Sequence, residues 1–311
     1  SFYSDKMPRI VDELKEKGLL VEDNGAQIVK LDEYDLPPAL IKKSDGSTLY
    51  ITRDIAAAVY RKETYDFYKN IYVVASQQNL HFQQWFKVIE LMGYDWAKDC
   101  VHVPFGLVSM EDGTMSTRQG RVVFLEDVLN RAVEQTKQII LEKNVTENID
   151  ETAHDVGVGA VVFNELSNYR IKDYVFSWDK VLNFEGETGP YVQYTHARAC
   201  SILRRAGEDT VKAAKKGFDT SWITGESAHH LIKLLYVLPE VIKEAGEKYE
   251  PSIVTRHIVD IAQGFNKFYH DEHILVEDEK EKTAKVALVL AVQTAIKNGL
   301  GLLGMKAPEK M

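Results

Sequence analysis

Hydroxyl and guanidinium side chains between two glycines make residues 112–121 a candidate for binding phosphate. The segment contains Asp112, Gly113, Thr114, Met115, Ser116, Thr117, Arg118, Gln119, Gly120 and Arg121. Its glycines let the backbone approach a ligand closely, and its hydroxyls and N–H groups can donate to phosphate oxygens. Its two arginines can neutralise charge that develops on a leaving pyrophosphate. From the residues alone, a flexible polar hairpin between a strand and a helix is the more conservative interpretation.

A tyrosine and an aspartate stand four residues apart in the segment 45–58, which reads DGSTLYITRDIAAA. The β-forming residues at 48–52 predict a strand, followed by a helix from Asp54 that Thr52 or Asp54 would cap. Tyr50 and Asp54 would then lie at the carboxyl end of a strand, where open α/β sheets bind ligands. A carboxylate there can pair with a guanidinium in two-pronged geometry. The structural alternative is that Asp54 caps its helix and Tyr50 fills a gap in the core.

A polar cluster, SQQNLH at 76–81, follows an apolar, β-branched run at 70–75. The run predicts a strand buried on both faces, and the cluster opens a helix predicted over 80–92. Gln78 and His81 are candidates for ligand contacts at this strand end. Either side chain could instead cap the helix or satisfy backbone groups.

Two aromatic residues and an arginine lie at helical spacing later in the chain. Tyr191, Tyr194 and Arg198 are predicted to share one face of a helix over 191–207. Aromatic faces beside a cation suit unpaired RNA bases. The alternative is that these aromatic residues simply belong to a helical core.

The elements that must position these residues change in character along the chain. Strand and helix patterns alternate in the first third, which predicts part of a doubly wound α/β sheet. After about residue 123, helix follows helix with little strand pattern, which predicts an α-helical bundle. Its helices are predicted over 127–143, 156–168, 191–207, 229–245, 251–269 and 281–302.

Composition limits the class of protein. A chain of 311 residues, 45% hydrophobic and 27% charged, is long enough for two globular domains and has no apolar stretch long enough to span a membrane. Its two cysteines, Cys100 and Cys200, are expected to be reduced thiols rather than a disulfide framework. The net charge of −9 does not exclude a local basic patch for RNA. The pair His270 and His273 has no further ligand cluster in the sequence, so we predict no metal site.

The four segments together resemble the arginyl-tRNA synthetases, a family of class I aminoacyl-tRNA synthetases. Residues 114–120 are similar to the family's KMSKS element in its arginyl form, although Thr114 replaces the first lysine. Residues 49–58 resemble the family's L-Y-x-T-R-D-[IL]-A-A-A segment. Residues 184–200 and the closing APEKM resemble its anticodon-binding domain. The resemblance covers essentially the whole chain.

The resemblance implies an α/β plus all-α fold. Residues 1–125 would form the second half of a Rossmann-like class I catalytic domain that includes the KMSKS-like loop. Residues 126–180 would be a helical connector, and residues 181–311 a DALR-type α-helical anticodon-binding domain.

The resemblance also implies roles for individual residues. Catalysis would involve Ser116, Thr117 and Arg118, and ATP would contact His81, Met115 and Gly120. Substrate arginine would contact Tyr50, Asp54 and Gln78, and tRNA would contact Tyr191, Tyr194, Arg198 and Met311.

The implied activity is that of an arginine–tRNA ligase, with L-arginine, arginine tRNA and ATP accompanied by Mg²⁺ as substrates. No tightly bound cofactor and no membrane association are expected, and we expect a cytoplasmic monomer. The sequence contains no H-x-G-H or H-x-G-N motif, which class I synthetases use to stabilise ATP phosphates. We therefore expect a C-terminal fragment that is inactive alone. The alternatives are a module that only binds a tRNA anticodon, and a different class I synthetase of the cysteinyl type.

Overall fold

The computed structural model of the protein describes residues 2–110, 123–143, 148–184 and 186–311. The chain forms two compact units, Ser1–Leu107 and Val108–Met311. The predicted phosphate-binding residues Thr114, Met115, Ser116, Thr117, Arg118 and Gly120 lie outside the described residues, so their roles stay predictions.

The first unit combines helices with two small sheets. Its elements are α1 (Met7–Glu16), β1 (Leu20–Asp23), β2 (Ala26–Val29), β3 (Ala39–Lys42), α2 (Tyr50–Tyr65), β4 (Asn70–Ala75), α3 (Asn79–Leu91) and β5 (Cys100–Phe105). Strands β1, β2 and β3 form an antiparallel sheet in that order. Strands β4 and β5 pair in parallel, and α3 is the helix of the crossover that joins them. The predicted alternation of strand and helix is confirmed from β3 to β5, whereas β1, β2 and β3 follow one another without an α-helix between them.

The core of the first unit lies where its three helices meet. Leu14 of α1, Ile55 of α2 and Trp85 of α3 are fully buried there. Apolar residues recur on one face of α3, where Val88 and Ile89 follow Trp85 by one turn, so the helix buries a continuous stripe. This packing fixes the starts of α2 and α3, which carry the candidate site residues.

The predicted strand at 48–52 is wrong, because α2 already begins at Tyr50. Only Thr48 forms an isolated bridge, with Lys42. The predicted caps are wrong too, since the N-cap is Leu49 and makes no side-chain cap bond. Thr52 is buried and donates its hydroxyl to the Ile41 carbonyl at 2.7 Å. Burial of this β-branched segment against β3 outweighed its local preference for strand.

Strand β4 has the predicted bounds, but it is not buried on both faces. Ile71 and Val73 are 47% and 65% exposed, whereas Tyr72 and Val74 pack against the core. Successive side chains of a strand point to opposite faces. In the described part of the unit, packed elements therefore cover one face of β4 and leave the other open.

The second unit is mainly helical, as predicted. Its elements are β6 (Val108–Met110), α4 (Leu125–Lys143), α5 (Ile149–Ser167), β7 (Tyr174–Phe176), α6 (Trp178–Val181), α7 (Gly189–Ala206), α8 (Glu208–Lys216), α9 (Glu226–Lys248), α10 (Ser252–Asp271) and α11 (Glu279–Leu302). Sequence reasoning missed α8 and also missed β7, which pairs in parallel with β6. A strand of three residues is too short to show a period of two.

Helices α7, α9, α10 and α11 enclose the main core of the second unit. Phe265 and Phe268 of α10 are fully buried among residues of the other helices. Helices α10 and α11 approach closely at Gly299, where an added Cβ would lie 2.5 Å from Cγ2 of Ile258. Side chains cap two of these helices: Thr188 accepts from the Tyr191 N–H at the start of α7, and Asp278 accepts from two N–H groups of α11.

The helices in the described ranges include none that is long and apolar enough to cross a membrane.

Candidate functional site

The first candidate site lies where β4 ends and α3 begins. The strand ends at Ala75, a 3₁₀ turn follows at Ser76–Gln78, and α3 starts at Asn79. Because β4 and β5 are parallel, their carboxyl ends lie at the same edge of the sheet. Open α/β sheets bind ligands at that edge.

Asp54 and His81 meet at this site, although they are distant in the sequence. Nε2 of His81 lies 2.6 Å from Oδ2 of Asp54, and the two side chains are 24% and 39% exposed. A carboxylate held by a ring nitrogen is fixed in orientation while its outer edge can still accept hydrogen bonds. The pair therefore presents an oriented acceptor that suits a guanidinium or an amine.

Tyr50 lies one helical turn before Asp54 on α2 and is 73% exposed. The structural alternative, in which Tyr50 fills a gap in the core, is therefore wrong. The guanidinium of Arg53 lies 5.5 Å from the centre of the Tyr50 ring. Nε of Arg53 is buried, and no described residue supplies its hydrogen-bond partner. Sequence reasoning did not select Arg53, although its position between Tyr50 and Asp54 in one motif could have drawn attention to it.

Gln78 is exposed at the end of the 3₁₀ turn that leads into α3. Among the described residues, no side-chain hydrogen bond joins Gln78 to Tyr50 or Asp54. The structure thus brings Asp54 and His81 together and places Tyr50 on the same helix as Asp54. The roles predicted for all four residues stay predictions.

The second candidate site is an aromatic cluster on α7 and α10. The guanidinium of Arg198 lies 4.9 Å from the centre of the Tyr194 ring and 5.5 Å from that of Tyr269. Tyr194 and Tyr269 are 41% and 42% exposed. A cation held between two accessible rings is suited to stacking with an unpaired base.

Asn266 of α10 connects the members of this cluster. Its amide nitrogen donates to the Tyr191 hydroxyl at 2.9 Å and to the Thr195 hydroxyl at 3.3 Å. Its carbonyl oxygen accepts from Nη1 of Arg198. Tyr191 packs against the core while Tyr194 faces solvent, so the two tyrosines differ in environment despite their spacing. Sequence reasoning missed Asn266, because its partners come from another helix.

Met311 lies beside this cluster. It lines a pocket of about 340 Å³ together with Tyr194, Ala197, Arg198, Ser201, Arg204 and Lys310. Three of these residues are cationic, so the pocket forms a local basic patch on a chain of net charge −9. Such a patch attracts phosphate groups even when the whole protein is acidic.

The two cysteines are buried and form no disulfide, as predicted. Burial raises the pKa of the Cys100 thiol to about 12 and also raises the pKa of Cys200. Both groups stay protonated at neutral pH and are poor nucleophiles. In the described ranges, three or more His, Cys, Asp or Glu side chains nowhere gather in a group that could hold a metal ion.

Comparison with known proteins identifies two family models. The one for "tRNA synthetases class I (R), catalytic domain" matches residues 1–178, and the one for the "DALR anticodon binding domain" matches residues 192–311. Arginine–tRNA ligases of Halothermothrix orenii and Clostridioides difficile are 63% and 61% identical over the whole chain. The chain covers 54% of each, so it spans about half the length of these curated relatives.

Solved structures agree with these matches. The arginyl-tRNA synthetase of Thermus thermophilus superposes on 100% of the chain with a TM-score of 0.89 at 25% identity, and 59% of that chain is covered. The arginyl-tRNA synthetase of Plasmodium falciparum superposes on 100% of the chain with a TM-score of 0.85 at 25% identity, and 53% of it is covered. These matches favour the arginyl family over a cysteinyl-type enzyme. The chain belongs to the class I tRNA synthetases of the arginyl type, with part of their catalytic domain followed by a DALR anticodon-binding domain.

Proposed function

We propose that the full-length protein containing this chain is an arginine–tRNA ligase. It activates L-arginine with ATP and transfers the arginyl group to arginine tRNA, acting as a cytoplasmic monomer. Residues 1–125 contribute to the catalytic domain, residues 126–180 connect the two functions, and residues 181–311 bind the anticodon. Mg²⁺ accompanies ATP as part of the substrate, since Mg²⁺ is commonly bound through phosphates and few protein ligands.

The contact between Asp54 and His81 is the observation that supports the proposed binding of substrate arginine. It orients a carboxylate at the carboxyl edge of the parallel strands, next to the exposed Tyr50 ring. In the proposed complex, Asp54 accepts from the substrate guanidinium in two-pronged geometry, and Tyr50 and Gln78 contact the same substrate. His81 also contacts the nucleotide from the start of α3.

In the activation step, a carboxylate oxygen of arginine attacks the α-phosphorus of ATP. Pyrophosphate leaves, and the product is arginyl-adenylate. Catalysis consists mainly of positioning and of stabilising the charge on the pyrophosphate. We assign the latter to the loop that contains Ser116, Thr117 and Arg118, with Met115 and Gly120 beside the nucleotide. A hydroxyl at the tRNA 3′ end then attacks the arginyl carbonyl, and AMP leaves.

Arginine-dependent exchange between pyrophosphate and ATP tests the proposal. We expect exchange with arginine and not with lysine or cysteine when the full-length protein is assayed. The 311-residue chain alone should show none, because it lacks the H-x-G-H or H-x-G-N motif that the resemblance implies for ATP binding. Failure of the full-length protein to activate arginine would contradict the proposed activity. Exchange by the chain alone would contradict its proposed dependence on the rest of the protein.

A second candidate function is anticodon binding without catalysis. The observation that favours it is the basic pocket beside Tyr194 and Arg198, whose residues all come from the second unit. Salt-dependent binding of arginine tRNA by the 311-residue chain, with no turnover of ATP, would support this function for the chain itself. Equal affinity for tRNAs of other amino acids would argue against it.

A further inference from the structure

Residues 306–311 come after α11 and lie against α7 without forming a helix or strand of their own. We call residues 306–311 the C-terminal tail. An irregular segment of this kind keeps one conformation only where other groups bind its backbone. Here three side chains of α7 donate to its carbonyl oxygens: Gln193 to Lys306 at 2.9 Å, His196 to Pro308 at 2.9 Å, and Arg204 to Glu309 at 3.1 Å.

The first two of these bonds are made inside the protein. Gln193 and His196 are both fully buried. The amide nitrogen of Gln193 also donates to the Asp155 carbonyl at 3.1 Å. An added Cβ at Gly159, in the middle of α5, would lie 2.8 Å from that nitrogen. The glycine therefore provides the space in which the amide reaches the C-terminal tail.

The contacts of His196 determine the state of its ring. A carbonyl oxygen can only accept, so Nδ1 must carry the hydrogen that points to Pro308. Nε2 lies 3.0 Å from the amide nitrogen of Gln293 and accepts from it. His196 is thus a neutral ring with a partner on each nitrogen, and burial lowers its pKa in agreement with that state. A ring so fixed gives the Pro308 carbonyl one defined position.

One of these three bonds is made by a residue of the basic pocket. Arg204 both binds the C-terminal tail and lines the pocket, which Tyr194, Lys310 and Met311 also line. Preorganised contact groups bind more tightly because less conformational entropy is lost on binding. The donors from α7 bind the backbone of Lys306, Pro308 and Glu309, directly before the last two residues.

We propose that Gln193, His196 and Arg204 are positioning residues that hold the C-terminal tail so that Lys310 and Met311 form one wall of the anticodon site. This inference rests on the proposed binding of arginine tRNA. None of the three residues needs to touch RNA for this role. Their loss should reduce discrimination between anticodons more than it reduces general attraction to RNA.

A matched pair of adjacent arginines provides the test. Arg204→Met removes one tail bond and one charge, whereas Arg205→Met removes one exposed charge from the same helix. Both variants, in the 311-residue chain, are titrated with arginine tRNA and with the same tRNA carrying a replaced anticodon. We expect Arg204→Met to lower the ratio of the two affinities about fivefold, the factor that corresponds to one hydrogen bond. Arg205→Met should weaken both affinities equally and keep the ratio. If Arg204→Met and Arg205→Met show the same ratio of affinities for the two tRNAs, the proposal is overturned.

Substitutions of His196 provide a second test with a conservative rescue. His196→Leu removes the donor to Pro308, and His196→Asn keeps an N–H near the position of Nδ1. We expect the affinity ratio to fall in the leucine variant and to recover in the asparagine variant. A lower affinity ratio in both variants, with unchanged thermal unfolding, would contradict the proposed role of the His196 donor.

Digestion with carboxypeptidase separates this proposal from the proposed function. Release of Met311 should be several-fold faster from Arg204→Met than from Arg205→Met, with no RNA present. If the unaltered chain fails to distinguish the two tRNAs, the proposed tRNA binding is wrong, and digestion still shows whether the C-terminal tail is held. Equal release from the two variants would overturn the positioning role even if tRNA binding is confirmed.

Discussion

The two candidate sites differ in how completely this chain supplies their contacts. Around Asp54, one ring nitrogen of His81 is the side-chain partner among the described residues, and Tyr50 and Gln78 are exposed. Around Arg198, two rings and the Asn266 amide surround the guanidinium. The first site is an open set of side chains, whereas the second is a connected network.

The difference follows from the elements that carry each site. The starts of α2 and α3 have no side-chain cap, and Tyr50 and Gln78 are exposed there. Helices α7 and α10 instead pack side by side, so polar groups between them must be satisfied locally. In the proposed function, the open site would acquire its remaining contacts from the substrate, whereas the side chains of the network already contact one another.

The largest effect is expected at the open site. Asp54→Asn in the full-length protein should reduce kcat/KM for arginine by at least about 100-fold, or roughly 3 kcal/mol, because the substrate guanidinium loses its charged partner. Arginine-dependent pyrophosphate exchange measures this. Asp66→Asn, at the other end of α2, is the control and should leave exchange unchanged. Equal loss in both variants would mean that Asp54 has no special role.

A substitution in the network around Arg198 should have the next largest effect. Arg198→Met is expected to weaken binding of arginine tRNA about 30-fold, or roughly 2 kcal/mol, since it removes a charged donor and the cation between two rings. Filter binding at fixed salt measures the change. Lys212→Met removes a cation elsewhere in the same unit, where Lys212 forms an exposed pair with Glu208, and should change affinity much less. Similar losses would indicate that only overall charge matters.

A smaller effect is expected from helix capping. Asp278→Ala should lower the free energy of unfolding of the helical unit by about 1 kcal/mol, because two N–H groups at the start of α11 lose their acceptor. Denaturant unfolding followed by circular dichroism measures this. Asp278→Asn keeps an acceptor and should restore most of the stability. If the alanine variant is as stable as the unaltered protein, the cap contributes nothing.

The last expected effect is a pH dependence caused by His196. Burial is the main cause that lowers its pKa below the ordinary value of 6.5. Below pH 6.5 the unfolded chain binds a proton that the folded chain does not. Stability from this group is therefore complete above pH 6.5 and is lost as the pH falls toward the lowered pKa.

Thermal unfolding at pH 7.5 and pH 5 tests this effect. We expect the difference between the two midpoints to be smaller in His196→Asn than in the unaltered protein, because asparagine does not titrate. The comparison cancels the contributions of the other histidines. An unchanged difference would contradict the assignment.

The periodic parts of the fold were predictable from sequence. The apolar run at 70–75 predicted β4 with its observed bounds, although not its one-sided burial, and the helix predicted over 251–269 is observed as α10. Patterns of this kind work because burial on one face imposes a fixed period. The start of α2 was not predictable, since tertiary burial of Ile51 and Thr52 reversed their local preference for strand.

The sequence by itself indicated several residues of the two sites, because motifs such as LYITRDIAAA keep their chemistry within a few positions. The tertiary structure alone decided which residues meet, and it added Asn266, which no motif indicated. His81 reaches Asp54 across 27 positions, Asn266 reaches Arg198 across 68, and His196 reaches Pro308 across 112. Spacing within one element follows from backbone geometry and is visible in the sequence. Contacts between elements depend on how helices and strands pack, and no local pattern records that.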